Sequence, residues 1–178
     1  MAEIKGQELP QDAAAIVEKA KSFWAKFSKP IIYVGSAVIL LAGGWYVYKN
    51  YFKLPKEQKA EELVYPAEKL FDAMSTSAGF NKDSINLVLN GGVNAGTNVT
   101  GLLKIANNYG GTKAGDRAEF MIGACYLNLK DFDKAIKHLK EFDGGDDDQI
   151  KNKDYLLLGH AYAEKKKNEE ALSYYRKA

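Results

Sequence analysis

The sequence predicts an all-α chain: an N-terminal amphipathic helix, one transmembrane helix, and then an α-solenoid of helical hairpins. Two observations carry this. Residues 31–48 run eighteen positions without a charge, an Asn, a Gln or a Pro. From residue 116 onward a spacing of small and large apolar side chains returns after thirty-six residues, and a period in the thirties built from two helices marks a helical array. The implied layout is a tail with its amphipathic helix over residues 1–29, an anchor over 30–52 and a repeat domain over 53–178.

The first ten residues are polar and read as a mobile tail. From Asp12, a candidate N-cap, Ile16, Ala20, Phe23 and Phe27 recur at helical spacing, with Lys19, Lys21 and Lys26 largely off that stripe. Such a helix next to a span either lies along the membrane surface or packs on a partner's membrane helix, using the same residues for both. Pro30 then opens the span, where a missing N–H costs little.

At about 1.5 Å per residue the apolar run reaches about 27 Å, close to the thickness of a bilayer's hydrocarbon core. Eight of its residues are Ile, Leu or Val, so Ile31, Leu40 and Leu41 read as anchoring residues. Trp45 stands with Tyr46, Tyr48, Tyr51 and Phe52 at one end, and Trp24 and Phe27 at the other, as aromatic belts do. A buried core helix would be shorter. A cleaved signal peptide would have a shorter apolar core and a shorter preceding segment. Four lysines flank each side (Lys19, Lys21, Lys26, Lys29; Lys49, Lys53, Lys56, Lys59), so the positive-inside rule does not choose the orientation. A short internal tail with the large domain exported is preferred, because long domains translocate despite their charge. Gly35, Ser36, Ala42, Gly43 and Gly44 give the span small positions, but no G-x-x-x-G.

Beyond Pro55 a long helix places Ala60, Leu63, Ala67, Leu70, Phe71 and Met74 on one stripe, with a kink or interruption expected at Pro66 and a stop at Gly79. A short helix over 84–89 ends at Asn90-Gly91-Gly92, and another over about 98–109 faces inward with Val99, Leu102, Leu103 and Ala106, closing at Gly110-Gly111. Gly123, Tyr126, Ala135, Leu139 and Phe142 return as Gly159, Tyr162, Ala171, Tyr175 and Ala178. The small residues permit close helix crossing and the large ones fill between pairs, so stacking supplies a core that neither pair has alone. Ala171, Leu172 and Tyr175 form an apolar stripe at the last helix, which leads us to expect that the natural chain continues beyond residue 178 or that a partner covers that face.

Those spacings, around a Lys130-Asp131-Phe132 turn, resemble a tetratricopeptide repeat (TPR). They depart from it at Glu119, where a bulky residue is usual, and in a link over 143–148 that is long and lacks Pro. A single N-terminal span, a long helix and the segment Tyr109-Gly110-Gly111-Thr112-Lys113-Ala114-Gly115 leading into such repeats is similar to the bacterial ancillary SecYEG translocon subunit (YfgM-like) family. That resemblance implies an inner-membrane protein with a cytoplasmic N-terminus and a periplasmic TPR-like domain. It also implies association with the SecYEG translocon and with a periplasmic isomerase-like chaperone. It further implies a concave groove lined by Arg117, Phe120, Ala124, Leu127 and Asn128 from one repeat and Lys153, Leu156, His160 and Glu164 from the next. This mix suits a peptide with an acidic and an apolar anchor; the Lys/Asn arrangement of repeats that clamp a C-terminal carboxylate is not matched.

Chemistry beyond binding is not expected. The formal charge of +2 argues against a nucleic-acid surface. The one cysteine, Cys125, excludes an internal disulfide and reads as a buried hydrophobe. His138 sits on a Lys-rich face and reads as solvated; neither it nor His160 has a second ligand at metal spacing. The acidic link 143–148 lacks the Gly and Glu of a calcium loop, and the paired glycines lack the Lys-Ser/Thr of a phosphate loop. Asn98-Val99-Thr100 is a glycosylation acceptor only in a eukaryotic secretory setting. No enzyme activity, cofactor, metal or small-molecule substrate is expected. The partners expected are membrane lipid and other proteins. The alternatives are a scaffold of another envelope or secretion complex, or a self-assembling membrane protein.

Overall fold

A computed structural model of the chain describes residues 11–145 and 148–178. The tail expected over residues 1–10 lies outside the described residues, as do Asp146 and Asp147 of the acidic link. The side chains of Asp12, the expected cap, and of Ile31 are likewise outside the description. The chain divides into two compact units, one ending at Tyr51 and the other spanning Phe52–Ala178.

In the first unit, α1 (Gln11–Val47) is one helix of 37 residues, about 55 Å long. The expected amphipathic and apolar helices are therefore a single element, and Pro30 lies inside it rather than at a start. Proline removes one backbone hydrogen bond and costs about 3 kcal/mol. The helix nonetheless runs past that defect without a break. Phe23 and Phe27, one turn apart, bring their rings to 4.8 Å. A π-helical turn, Tyr48–Lys53, follows.

Among its described residues the second unit holds seven α-helices, α2 (Leu54–Ala73), α3 (Lys82–Asn90), α4 (Leu102–Tyr109), α5 (Lys113–Asn128), α6 (Phe132–Glu141), α7 (Asp148–Glu164) and α8 (Asn168–Tyr175). The interruption expected at Pro66 does not occur: α2 runs through it. The carbonyl left without an amide partner belongs to Glu62, which is exposed, so water can satisfy it. The buried stripe of α2 is Ala60, Val64, Ala67 and Phe71, continued by Met74 in a second π-helical turn; Leu63, expected on it, is half-buried. Gly79, with φ 72°, ends the helix as expected.

The helix expected from residue 98 begins only at Leu102. Residues ahead of it form a β-hairpin, β1 (Gly91–Asn94) and β2 (Thr97–Thr100), with Gly92 opposite Val99 and Asn94 opposite Thr97. Ala95 and Gly96 both take positive φ, 46° and 80°, the mark of the tight turn whose twist matches that of paired strands. Val99 still reaches the core, but from a strand. The hairpin closes onto the end of α3 at Gly101, where an added Cβ would stand 2.4 Å from the Asn90 carbonyl carbon.

From α5 the chain is two successive hairpins, α5 on α6 and α7 on α8, with α7 also packed on α6 and α5. They match in detail. The amides of Lys130 and Asp131 bond back to Leu127 O and Tyr126 O; those of Lys166 and Lys167 bond back to Ala163 O and Tyr162 O. Both corners turn through a lysine with positive φ, 61° at Lys130 and 59° at Lys166. A Cβ on Gly123 would stand 2.5 Å from Leu139 Cγ, and one on Gly159 2.4 Å from Tyr175 Cε1. A side chain at either crossing would meet the facing helix, against buried Leu139 at the first and half-exposed Tyr175 at the second.

Candidate functional site

Arg117, Phe120, Ala124 and Asn128 of α5 are spaced three and four residues apart, on one helical stripe. With Met121 they form one wall of a cavity of 610 Å³. Ile150, Lys153 and Leu157 of α7 form a second wall. The third comes from Glu68, Phe71 and Asp72 of α2, with Ser75 and Phe80 just after it. That third wall is aromatic: Phe71 and Phe80 meet edge to face at 5.7 Å.

Arg117 is committed. Its Nε donates to Glu68 Oε1 at 2.6 Å and its Nη2 to Glu61 Oε1 at 2.8 Å, tying α5 to α2. Burial works against the charged guanidinium, but the hydrogen bonds and fields of Glu68 and Glu61 outweigh it and hold its pKa above the ordinary value. The basic anchor expected at Arg117 is thus neutralised from within. Among the described lining residues, Lys153 and Asp72 are the ionisable side chains left without a partner, one on each of two facing walls. Asn128 donates to Ala124 O of its own helix at 2.9 Å, which leaves its side-chain oxygen free to accept.

The remaining expected groove residues do not line this cavity. Leu156 is 44% exposed, and with His160 and Glu164 it occupies a stripe of α7 about 100° round from Leu157. His160 lies beside Tyr175, whose hydroxyl is 3.4 Å from its Nδ1. Leu127 is half-buried. The α2 wall went unforeseen because no repeat spacing marks that helix. Its available signal was Phe71 and Phe80, bulky residues on either side of the Gly79 stop.

His138 is not solvated. Its Nδ1 is 2.6 Å from Glu119 Oε2 and its ring stacks on Tyr126 at 5.6 Å, so it fastens α6 to α5. Cys125 is fully buried, and burial pushes its thiol up to about 12. It packs as a small apolar group and is no nucleophile at neutral pH. Asp154 is also buried, and its Oδ1 has no hydrogen-bond partner. Among the described residues no three His, Cys, Asp or Glu side chains meet as a metal site.

Two successive helical hairpins with matching corners and glycine crossings are the geometry of a repeat array. The family of tetratricopeptide repeat-like domains matches residues 21–178. The chain belongs to that family. Neither the curated proteins nor the solved structures yield a match to it. The TPR-like match covers the groove and all seven helices of the second unit, and a TPR-like domain points to a protein–protein interaction role. It starts within α1 and takes in the exposed apolar residues there, including Leu40 and Leu41 at 75% exposure and Trp45 at 64%. A helical stretch beginning at Ile32 is long and apolar enough to cross a membrane by length and composition.

Proposed function

We propose that this protein is a non-catalytic adaptor of the bacterial inner membrane. The apolar run of α1 anchors it, its N-terminus is cytoplasmic, and its periplasmic TPR-like domain holds other polypeptides beside the SecYEG translocon, with a periplasmic isomerase-like chaperone as co-partner. The observation that carries this reading is the groove: an unpartnered ammonium on one wall and, on another, an unpartnered carboxylate beside two aromatic rings, in a TPR-like domain. Such a lining suits a segment with an apolar side chain between an acidic and a basic residue, the acid meeting Lys153 and the base Asp72. The exposed apolar stretch of α1 supports anchoring, since water would otherwise meet several adjacent Leu, Ile and Val side chains.

The test is photocrosslinking in intact bacteria, with the reactive side chain at Phe120 inside the groove or at Leu156 outside it. Adducts to translocon or chaperone subunits from Phe120 but not from Leu156 are expected. Adducts from both positions to the same unrelated envelope proteins would overturn the adaptor reading.

A further inference from the structure

The inner side of α7 carries a group that the groove does not use. Asp154 is 4% exposed, and its Oδ1 meets no donor. A buried carboxylate without partners is among the costliest groups a protein interior can hold. Within a turn on either side of it, Ile150, Lys153 and Leu157 form the α7 wall of the groove. Across from it, Asp116 of α5 fastens the end of α6: its Oδ1 accepts the Asp143 amide at 2.6 Å and its Oδ2 the Gly144 amide at 3.0 Å. Lys151 of α7 donates to Gly145 O in the same corner. Two carboxyl groups that feel each other's charge therefore sit at this junction, Asp116 bonded through both oxygens and Asp154 with a buried oxygen that meets no donor.

We propose that Asp154 is a proton-operated clamp, which seats α7 on α5 when protonated and loosens the α6–α7 corner, and with it the α7 wall of the groove, when ionised. This names a regulation of the groove and rests on the adaptor reading for its biological use. Burial first, and the charge of Asp116 second, push the Asp154 carboxyl up to about 7, into the range where cells change pH. Among the described residues, the elements packed on α7 carry these other charges, with Glu169 and Glu170 in the first turn of α8. On α5, Arg117 is bound to Glu61 and Glu68, and Lys113 shares a cavity wall with Asp116. At the end of α6, Lys140 stands over the Tyr162 ring, and Glu141 and Asp143 border the pocket beside Asp116. After α8, Lys177 stands over Tyr155 and Tyr174. Of all these, Asp116 is the charge that acts on Asp154.

The folded-state value lies above the unfolded one, so the stabilisation is complete below about pH 4 and is lost as pH rises through about 7. The experiment is amide hydrogen exchange on the full chain in detergent at pH 5.5 and 8.5, corrected for intrinsic exchange, comparing the wild type with Asp154→Asn. Protection at Asp143 and Gly144 should fall roughly tenfold or more with pH in the wild type and stay level in the variant. Equal pH dependence in both proteins overturns the clamp. Should the variant not fold, carboxyl NMR on the wild type decides: an Asp154 midpoint near 7 upholds the clamp, and one in the ordinary carboxylate range sinks it. Neither readout needs a bound partner, so its failure and that of the adaptor reading are told apart.

Discussion

Two glycines and one arginine show how much single residues decide here. Gly123 and Gly159 occupy equivalent crossings, yet their neighbours differ. Leu139, against Gly123, is fully buried, whereas Tyr175, against Gly159, is 37% exposed and can swing aside. Gly123→Ala should therefore cost about 2 kcal/mol and Gly159→Ala less than about 1 kcal/mol, read as thermal midpoints of the two variants. Equal losses would mean that Tyr175 is held as firmly as Leu139. The two glycines were legible in the sequence because their spacing repeats. The partners of Arg117 were not: Glu68 and Glu61 lie 49 and 56 residues away, and no local pattern joins residues so far apart. The same holds for His138, whose Lys-rich neighbours pointed to solvent while Glu119 waited on another helix.

Elements are held in place by a few side chains that reach across. α2 is pinned to the start of α5 by Glu57, which accepts the Lys113 amide at 2.6 Å, and by the Arg117 fork to Glu61 and Glu68. Arg117→Ala should loosen α2 from α5 at a cost of about 1 kcal/mol, since the pairs are partly exposed. Faster exchange in the amides of α2 than in those of α8 is the expected readout; a uniform change would argue against a local tie. The helical hairpins beyond residue 113 could be read ahead of the structure because each is a complete unit of pattern. The β-hairpin could not. Its strands are four residues each, Gly and Asn read as stops, and Val99 fitted a helical stripe as well as a strand. The unused signal was Val and Thr on either side of Ala95-Gly96, β-branched residues flanking a two-residue turn.

For the molecule as a whole, the anchoring proposed for the apolar run in α1 can be tested directly. Leu40→Arg with Leu41→Arg should each add about 2.5–3.5 kcal/mol to membrane insertion. The double variant should therefore leave the membrane pellet on alkaline extraction while the unaltered chain stays in it. Retention of both would remove the anchor from the account. The two matched corners carry a different consequence. Because the lysine turns, their bond register and the glycine crossings recur at one fixed offset, a thirty-six-residue unit should be transferable as a cassette. A duplicate spliced in after the first copy would meet neighbours of a kind it already fits, and the array could be lengthened without designing a new joint.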